Sequence, residues 1–405
     1  MKITEVSSDI SIFLSIHPSR KPSHRQTQAY LLGFSPLPTP THEQRAKNKQ
    51  LYIYPIKSLA PLSVPRTRLR LESVENDRRF MLLKVQPDGK YKNIQIPYFP
   101  ECALFHQRLD GDEIVVTYHT PSPPIFTPEV PEQHTELRVP LSPKVEGRDL
   151  VDVSIGGSPT VAYRMGYPYD QWFTACFGYE VILVYIGDQG RDVLAHKPSE
   201  HYLWRQLRPR QQGGWLSSIS TYLPGLGAEE EKKKTDQLTF NEVAPFLVTS
   251  KASLRDVSKR LPEGEEMDMR RFRPNIVVDE DPQAAGEEKL EAWEEDYWAE
   301  LIITRSTGEQ HHLALTANCG RCISINIDYD TGRPSVGEPG IVLKKLMADR
   351  RVDKGNKYSP IFGRYAFLAP GESLGDHGGV EIAVGDEIHV KKRLDYRDSW
   401  AWPNA

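Results

Sequence analysis

The alternation of apolar and polar residues predicts that the first part of the chain is built from short strands. RLRLESVEND alternates between apolar and polar positions, and the turn sequence PDGKYKN separates RRFMLLKV from Gln95 and Ile96, which predicts a hairpin. LYIYPIKSL is also rich in β-forming residues. Pro55 within it predicts a bent or edge strand, because proline lacks the N–H that a central strand donates.

Helical spacing occurs in two short segments. YDQWFTACF predicts a helix that ends at Gly178, because glycine adopts the backbone conformation that commonly terminates helices, and VILVYI then predicts a buried strand. Further on, Phe246 to Val248 predicts a short strand, and Ser250 is a suitable N-cap for a following helix. The apolar face of that helix would comprise Leu254, Val257 and Leu261.

Strands dominate the rest of the second half. RRFRPNIVVDE predicts a strand with Phe272, Ile276 and Val278 on one face and Arg273 and Asn275 on the other. DEDPQAAGEEKLEAWEED predicts an acidic, exposed connection, and ELIIT and HHLALT predict two strands around the turn STGEQ. Because long helices do not separate these strands, the pattern predicts a closed or nearly closed β structure rather than a βαβ array.

Changes in composition divide the chain into four parts, and the predicted class is α+β, mainly β. Residues 1–48 are expected to be a flexible lead-in, 49–207 a β-rich domain, 208–237 a polar linker or insertion that contains GLGAEEEKKKTD, and 238–396 a second β-structured domain. Residues 119–148 are rich in proline and lack a clear period, so they are expected to form a surface insertion.

The overall composition excludes several classes of protein. A chain of 405 residues with a net charge of -4 has no global basic field, so nucleic acid is not an expected partner. Four cysteines are too few for a disulfide framework, which favours a reducing compartment. No apolar run approaches the roughly 20 residues that cross a bilayer. We therefore expect a soluble or peripheral intracellular protein, cytoplasmic or mitochondrial, without a transmembrane segment.

The stretch NCGRCISINIDYDTG brings Cys319 and Cys322 close together in sequence. A zinc site would need a second cysteine or histidine pair at suitable spacing, and a thioredoxin-like pair should open a helix, so both are disfavoured. The alternation after the pair predicts a strand in which Cys322 points away from the apolar core, beside the guanidinium of Arg321. A cation stabilises the thiolate, which is the form that binds metals. A free cysteine in a loop, without chemistry, is the alternative.

Basic residues in distant segments are candidate anion-binding positions. They are Lys57 with Ser58, Arg78 in NDRRF, and Arg273 with Asn275. Each alone is typical of a solvated or ion-paired side chain. Together they would suit a phosphate-bearing ligand, since arginine can donate two parallel hydrogen bonds and lysine contributes a point charge. The spacing does not show that they converge.

Six motifs in a fixed order resemble the MOSC domain family, including the mitochondrial amidoxime-reducing components and related bacterial MOSC proteins. They are YPIKS, DRRFML, NEVAPFLVTSKASL, RFRPNIVV, CGRCISINIDYDTG and SPIFGRYAFL, and VGDEIHV follows the last. The resemblance extends from about Leu51 to Val390. It implies a MOSC β-barrel domain, preceded by an N-terminal MOSC-associated β-rich domain, and a molybdenum–molybdopterin cofactor.

The resemblance also implies roles for individual residues. Cys322 would ligate molybdenum through its thiolate and would be catalytic. Asp328 and Asp330 are expected to be turn residues, and Cys319 has no implied role. The residues implied to hold the pterin and its phosphate are Lys57, Ser58, Arg78, Glu242, Val243, Ala244, Arg273, Asn275, Gly320, Arg321 and Tyr365.

Two functions are compatible with this resemblance. The first is an oxidoreductase that reduces small N-hydroxylated substrates, such as amidoximes and hydroxylamines, to the amine-type base. Its electrons would come from a separate donor, either cytochrome b5 and its reductase or a ferredoxin-type protein, because the sequence contains neither a four-cysteine iron–sulfur motif nor a flavin motif. The second is a carrier of molybdenum cofactor or sulfur without reductase turnover, in which Cys319 would resolve a persulfide on Cys322. Cofactor sulfuration itself is not expected, because the sequence shows no aminotransferase-like half.

Overall fold

The computed structural model describes residues 45–202, 237–281, 289–375 and 378–402. Most of the predicted flexible lead-in, 1–48, and nearly all of the predicted linker, 208–237, lie outside these residues. Among the described residues, no helix combines the length and the apolar character needed to cross a membrane.

Strands account for most of the regular structure, as predicted. In chain order they are β1 (Arg45–Ile53), β2 (Leu62–Val64), β3 (Arg66–Leu69), β4 (Phe80–Val85), β5 (Tyr91–Asn93), β6 (Phe105–Asp110), β7 (Glu113–Tyr118), β8 (Glu136–Pro140), β9 (Leu150–Ile155), β10 (Ser158–Arg164), β11 (Val181–Tyr185), β12 (Arg191–Asp192), β13 (Gln237–Leu238), β14 (Phe246–Ser250), β15 (Ile276–Glu280), β16 (Trp298–Thr304), β17 (Gln310–Gly320), β18 (Ile327–Asp328), β19 (Arg333–Pro334), β20 (Ile361–Leu368), β21 (Val380–Ala383) and β22 (Glu387–Arg393).

The helices within the described residues are few and short. The α-helices are α1 (Tyr169–Phe177), α2 (Lys251–Ser258) and α3 (Val342–Met347). The 3-10 helices are Pro100–Leu104, Pro131–His134, Met269–Phe272, Glu294–Tyr297, Ile323–Asn326 and Glu338–Ile341. Both predicted helices are present: α1 ends at Gly178 in the left-handed conformation, and the Ser250 side chain accepts a hydrogen bond from the Ala252 N–H at the start of α2. Helix α2 ends at Ser258, so Leu261 lies beyond it, although it still packs with Leu254 and Val257.

Six strands of the second half and β1, from the first half, close into a barrel. Their order is β15-β14-β20-β17-β16-β22-β1, and β1 pairs back onto β15. Only β14 and β15 are parallel among these pairs. Alternate residues such as Val248, Ile276 and Leu301 fill the interior, where they are fully buried. The predicted closed β structure is therefore present, and its strand pairs are mainly antiparallel.

The first half supplies two smaller sheets with their own core. The five-stranded sheet has the order β5-β4-β11-β10-β9, and the three-stranded sheet has the order β6-β7-β8. Helix α1 contributes Phe173 and Phe177, which pack with Phe105 of β6 and Leu183 of β11. The predicted hairpin around PDGKYKN is present, but its second strand is Tyr91–Asn93 rather than Gln95 and Ile96.

Strand β1 corrects two predictions. It begins at Arg45, inside the segment predicted to be a flexible lead-in, and it lies within the barrel between β15 and β22 rather than at an edge. The inference from Pro55 was wrong because this strand ends at Ile53, so the proline removes no donor from the ladder.

The RFRPN motif also departs from the predicted strand. A 3-10 helix covers Met269–Phe272, Arg273 adopts a left-handed conformation with φ 54°, and β15 starts only at Ile276. The Asp268 side chain caps the helix by accepting a hydrogen bond from the Arg270 N–H. Alternation in the sequence does not reveal this local cap, which competes with the extended conformation.

Two predicted surface segments are more ordered than expected. Residues 119–148 include β8, which pairs with β7. The acidic connection ends in two fully buried carboxylates, Glu295 and Asp296. Asp296 is ion-paired with Arg350 at 2.8 Å, and the Glu295 carboxylate accepts a hydrogen bond from Ser253 Oγ at 2.7 Å. Burial, reinforced by the neighbouring Asp296, raises the pKa of Glu295 to about 8.

After β22 the chain returns to the barrel as a tail, residues 394–402. Within β20, Arg364 is fully buried, and its guanidinium donates to the Asn318 Oδ1 at 2.8 Å. The same guanidinium forms an ion pair with Asp398 of the tail. The Trp400 N–H donates to Asp353 Oδ1 at 2.8 Å and holds the end of the tail. The tail thus supplies the carboxylate that neutralises a buried cation.

Candidate functional site

A cavity of about 390 Å³ gathers side chains from distant segments of the sequence. Of the twelve predicted site residues, only Val243, which is buried, does not line it. The lining residues are Lys57, Ser58, Arg78, Gln95, Ile96, Pro97, Tyr98, Asn241, Glu242, Ala244, Phe246, Leu247, Phe272, Arg273, Asn275, Cys319, Gly320, Arg321, Cys322, Ile323, Ser324 and Tyr365. A cavity of this size is in the range of small-molecule and cofactor sites.

Three cationic residues, Lys57, Arg78 and Arg273, form a basic wall of the cavity. The ring of Tyr54 lies between two of them, 4.4 Å from the Arg78 guanidinium carbon and 4.2 Å from that of Arg273. Tyr54 is fully buried and donates its hydroxyl to the Pro274 carbonyl oxygen at 2.9 Å. The electron-rich faces of the ring stabilise both cations, so two like charges can line the same cavity.

The backbone of the basic wall adopts an uncommon conformation. Ser58, Arg78 and Arg273 all have positive φ, at 74°, 51° and 54°. A non-glycine residue in the left-handed region is disfavoured by about 1–2 kcal/mol, so the surrounding contacts must hold it there. For Arg78 these contacts include the buried Asp77 carboxylate, which pairs with the guanidinium and also accepts a hydrogen bond from the Tyr54 N–H at 2.7 Å. The local backbone thus fixes the direction of the basic side chains.

Lys57 and Glu242 form an ion pair in the cavity. Lys57 is buried, and its Nζ lies 2.5 Å from Glu242 Oε1 and 2.8 Å from the Phe240 carbonyl oxygen. Burial lowers the pKa of Lys57 to about 8, although Glu242 opposes the shift. Partial removal from water would raise the pKa of Glu242, but the charges of Lys57 and Arg191 outweigh it and lower the pKa. The pair therefore stays ionised near neutral pH.

Sequence reasoning missed Arg191, which positions the segment containing Glu242. Its guanidinium is buried and donates to backbone carbonyl oxygens of Thr239 at 3.1 Å and Ile155 at 3.3 Å, and also to that of Asn241. Burial lowers the pKa of Arg191 to about 10. No motif contains this residue, and a lone arginine after a glycine gives no signal in the sequence.

Asn275 lines the cavity and also connects the strands beside it. Its side-chain Oδ1 accepts from the Leu247 N–H at 3.2 Å, and its Nδ2 donates to the Tyr52 carbonyl oxygen at 3.2 Å. It also lies 3.4 Å from Arg78 Nη1. Asn275 lines the cavity, but its hydrogen bonds chiefly connect β1 and β14 at the basic wall.

The two cysteines differ sharply in their surroundings. Cys322 is exposed and lines the cavity, with its Sγ 3.2 Å from Ser324 Oγ. Cys319 is only 3% exposed, and both thiols are free. The Arg321 guanidinium interacts electrostatically with Cys322, but its hydrogen bond goes to the other cysteine, because Arg321 Nη1 donates to Cys319 Sγ at 3.0 Å. Its Nη2 donates to the Phe272 carbonyl oxygen at 2.6 Å.

The segment after Cys322 is not the predicted strand. Ile323–Asn326 form a 3-10 helix in which Ile323 is 52% exposed and Ile325 is fully buried, so the three isoleucines do not share one face. The DYDTG turn is as expected, since Asp328 Oδ1 accepts hydrogen bonds from the backbone N–H groups of Asp330 and Thr331. Cys322 is exposed, as predicted, but it directly precedes a 3-10 helix instead of lying on a strand.

Two family models match consecutive parts of this chain. The family model described as MOSC N-terminal beta barrel domain matches residues 45–179, and the one described as MOSC domain matches residues 235–389. The mitochondrial amidoxime reducing component 2 of Macaca fascicularis is 33% identical over 353 residues, which cover 84% of this chain and 82% of that protein. The chain belongs to the MOSC family.

Other MOSC relatives differ in how much of their length aligns. The mitochondrial amidoxime-reducing component 1 of Homo sapiens is 28% identical over 351 residues, covering 84% of this chain and 82% of that protein. The molybdenum cofactor sulfurase of Neosartorya fischeri is 27% identical over 400 residues, covering 89% of this chain but 42% of that protein.

The cavity of this MOSC chain fits a ligand that combines an anionic tail with a thiolate-binding metal. Four cations line it, Lys57, Arg78, Arg273 and Arg321, against the single carboxylate of Glu242. Within the described part of the chain, Arg273 Nη2 and Arg321 Nε have no hydrogen-bond partner, so the protein does not use all of their donors. A soft metal prefers thiolate, and Cys322 is the exposed thiol of the cavity. The molybdenum cofactor has both features.

Proposed function

We propose that the protein is a molybdenum-cofactor-dependent oxidoreductase that reduces N-hydroxylated substrates, such as amidoximes and hydroxylamines, to the amine-type base. The observation that carries this proposal is the convergence of a basic wall and one exposed thiol, Cys322, on a single cavity. The amidoxime-reducing activity is supported by the names of two relatives whose alignments cover most of both chains.

The residues of the cavity would divide the binding of the cofactor between them. Lys57, Arg78 and Arg273 would hold the anionic tail, because they provide charge-assisted donors with fixed directions. Cys322 would provide the protein's thiolate ligand. When bound, the molybdenum cofactor supplies a two-electron redox centre and an acceptor for the oxygen atom of the substrate.

The reaction needs a source of electrons outside this chain. Reduction of one N–OH group to N–H consumes two electrons and two protons and releases one water molecule. The proposed partner is a separate protein donor, either cytochrome b5 with its reductase or a ferredoxin-type protein, which delivers one electron at a time. Exposed Cys322 lies where both the substrate and the electrons would have to arrive.

Purified protein provides the test of this proposal. Molybdenum per chain is measured in the wild type and in Cys322→Ser, and benzamidoxime reduction is assayed with a chemical reductant. We expect near-stoichiometric molybdenum and turnover in the wild type, and loss of turnover in Cys322→Ser. A wild type that carries molybdenum but reduces no N-hydroxylated substrate would refute the enzyme, and full activity of Cys322→Ser would refute the ligand assignment.

The second candidate function, a carrier of molybdenum cofactor or sulfur, is favoured by one observation. Cys319 lines the same cavity as Cys322, and its sulfur accepts a hydrogen bond from Arg321. A second thiol at this place would resolve a persulfide on the first. In this case the wild type would carry molybdenum or persulfide without turnover. Cys319→Ser would retain a persulfide on Cys322 for longer, because no neighbouring thiol would remain to form the Cys319–Cys322 disulfide and release the outer sulfur as sulfide.

A further inference from the structure

The surface beside Cys322 is basic and partly apolar. We call this surface the basic rim, and it consists of three exposed cationic residues and four exposed apolar or aromatic residues. The cations are Lys344, Arg351 and Lys357. The others are Ile323, Val336, Ile341 and Tyr358, with exposed fractions of 52%, 89%, 41% and 84%.

Backbone contacts attach the basic rim to the end of the cavity that holds Cys322. The Leu343 N–H donates to Asn326 Oδ1 at 3.0 Å, and the Ser335 N–H donates to the Asn326 carbonyl oxygen at 2.8 Å. On the other side of the cysteine, the Arg321 N–H donates to the Pro360 carbonyl oxygen at 2.8 Å. A methyl group on Gly320 would lie 3.1 Å from Ser359 Cβ. The segments that carry the rim therefore contact Arg321, directly before Cys322, and Asn326, four residues after it.

The rim is positive although the whole chain is negative. Residues 342–360 contain six lysines and arginines and two aspartates, whereas the chain as a whole has a net charge of -4. Of the two acids, Asp353 is buried and Asp349 is ion-paired with Arg260 at 2.6 Å. Arg350 is buried against Asp296, and Lys345 is ion-paired with Glu338. Lys354 of the same segment is also exposed, so the exposed positive charge of residues 342–360 lies on Lys344, Arg351, Lys354 and Lys357.

We infer that the basic rim is the docking surface for an acidic one-electron redox protein. The inference rests on the proposed function, because an N-reductive site without its own electron carrier needs two single-electron deliveries for each N–OH group. A positive surface steers an acidic partner and sets its orientation, and exposed aromatic and aliphatic side chains form the dehydrated centre typical of protein interfaces. Docking here brings the partner's redox group next to Cys322, the residue proposed to hold the metal.

The decisive experiment compares two triple charge reversals in the full chain. The rim variant is Lys344→Glu, Arg351→Glu and Lys357→Glu. The control variant makes the same change at three exposed lysines outside the rim, Lys49, Lys90 and Lys391. The probe is the soluble domain of cytochrome b5, an acidic haem protein, and basic cytochrome c is the negative control. Binding is measured by calorimetry at low and moderate salt, and turnover of benzamidoxime is measured with the haem protein and with dithionite.

We expect the rim variant to lose about tenfold or more of the affinity and of the haem-driven kcat/KM at low salt, because charge steering acts on association. The control variant should stay within about twofold of the wild type, and all three proteins should turn over equally with dithionite. Tyr358→Ser should weaken binding by a factor that does not depend on salt.

The outcomes separate the docking surface from the proposed function. Equal losses in the rim and control variants, or binding that does not respond to salt, would overturn the docking surface even when dithionite drives turnover. If dithionite drives no turnover in the wild type, the proposed function fails, and the calorimetric comparison of the two variants still decides whether an acidic partner binds the rim.

Discussion

The basic wall and the cysteine end of the cavity differ in how firmly the fold holds them. Lys57 is buried, and two guanidinium groups flank the buried ring of Tyr54, on a backbone that is left-handed at Ser58, Arg78 and Arg273. Cys322, by contrast, is exposed and precedes a 3-10 helix. The comparison indicates that the fold preorganises the part that recognises charge, whereas the thiol remains accessible to a metal and a substrate.

Removing the carboxylate behind the basic wall should have the largest effect. Asp77 is fully buried, and Asp77→Ala leaves Arg78 without its ion pair and the Tyr54 N–H without its acceptor. Breaking a buried pair in this way costs about 3–5 kcal/mol. Denaturant unfolding should show this loss, while Asp88→Ala, whose side chain is 56% exposed, should leave the unfolding midpoint unchanged. A small effect of Asp77→Ala would mean that the wall is not held by this pair.

Removing one donor of the wall should reduce anion binding more than it reduces stability. A hydrogen bond to a charged group contributes about 1.5–3 kcal/mol, so Arg273→Ala should weaken binding of inorganic phosphate about tenfold to a hundredfold. Arg270 lies on the preceding 3-10 helix, pairs with Asp268 and does not line the cavity, so Arg270→Ala is the matched control. Calorimetry with both variants makes the comparison, and equal losses would remove Arg273 from the binding surface.

The pH dependence of anion binding tests whether Lys57 acts through its charge. Its pKa is lowered to about 8 by burial, and a bound anion favours the charged form. Affinity should therefore be constant below about pH 7 and fall as pH rises through 8, by at most about tenfold per pH unit for one proton. Lys57→Arg should retain affinity at pH 9, since arginine stays protonated. A wild-type affinity that is flat from pH 7 to 9 would contradict this role.

The two cysteines should differ both in their effect on stability and in the reactivity of their thiols. Cys322→Ser should not move the unfolding midpoint because the residue is exposed, whereas Cys319→Ser places a hydroxyl where a buried sulfur accepts from Arg321 and should cost about 1–3 kcal/mol. In protein stripped of cofactor, iodoacetamide should modify Cys322 first, as followed by mass spectrometry. Faster modification of Cys319 would reverse the assignment of the accessible thiol.

Much of the architecture could be predicted because its signals are periodic. The strand at VILVYI, the helix capped by Ser250 and the hairpin around STGEQ follow from alternation, caps and turn residues, which act within a few positions. Closure of the barrel could be predicted because strands follow one another without long helices between them, so each strand can form hydrogen bonds with a neighbouring strand. The interior position of β1 did not follow, because pairing with β15 depends on residues more than 200 positions away.

The site could be predicted only through the order of its motifs. Alternation gave the correct exposure of Cys322, although residues 323–326 form a 3-10 helix rather than a strand. The position of Arg321 in the sequence did not reveal that its guanidinium donates to Cys319. The residues that support the site, Asp77, Arg191 and Tyr54, act through backbone contacts from other segments, and a single sequence contains no period or spacing that marks such contacts.

The tail after β22 has a consequence for where the barrel domain can be cut. The MOSC match ends at residue 389, but the buried guanidinium of Arg364 finds its carboxylate in Asp398. Arg364 also holds Asn318, which directly precedes Cys319, and it is followed by Tyr365 of the cavity. A fragment that ends where the family match ends would lack the counter-ion of this arginine, so we expect a stable fragment with an intact cavity to include the tail through Asp398.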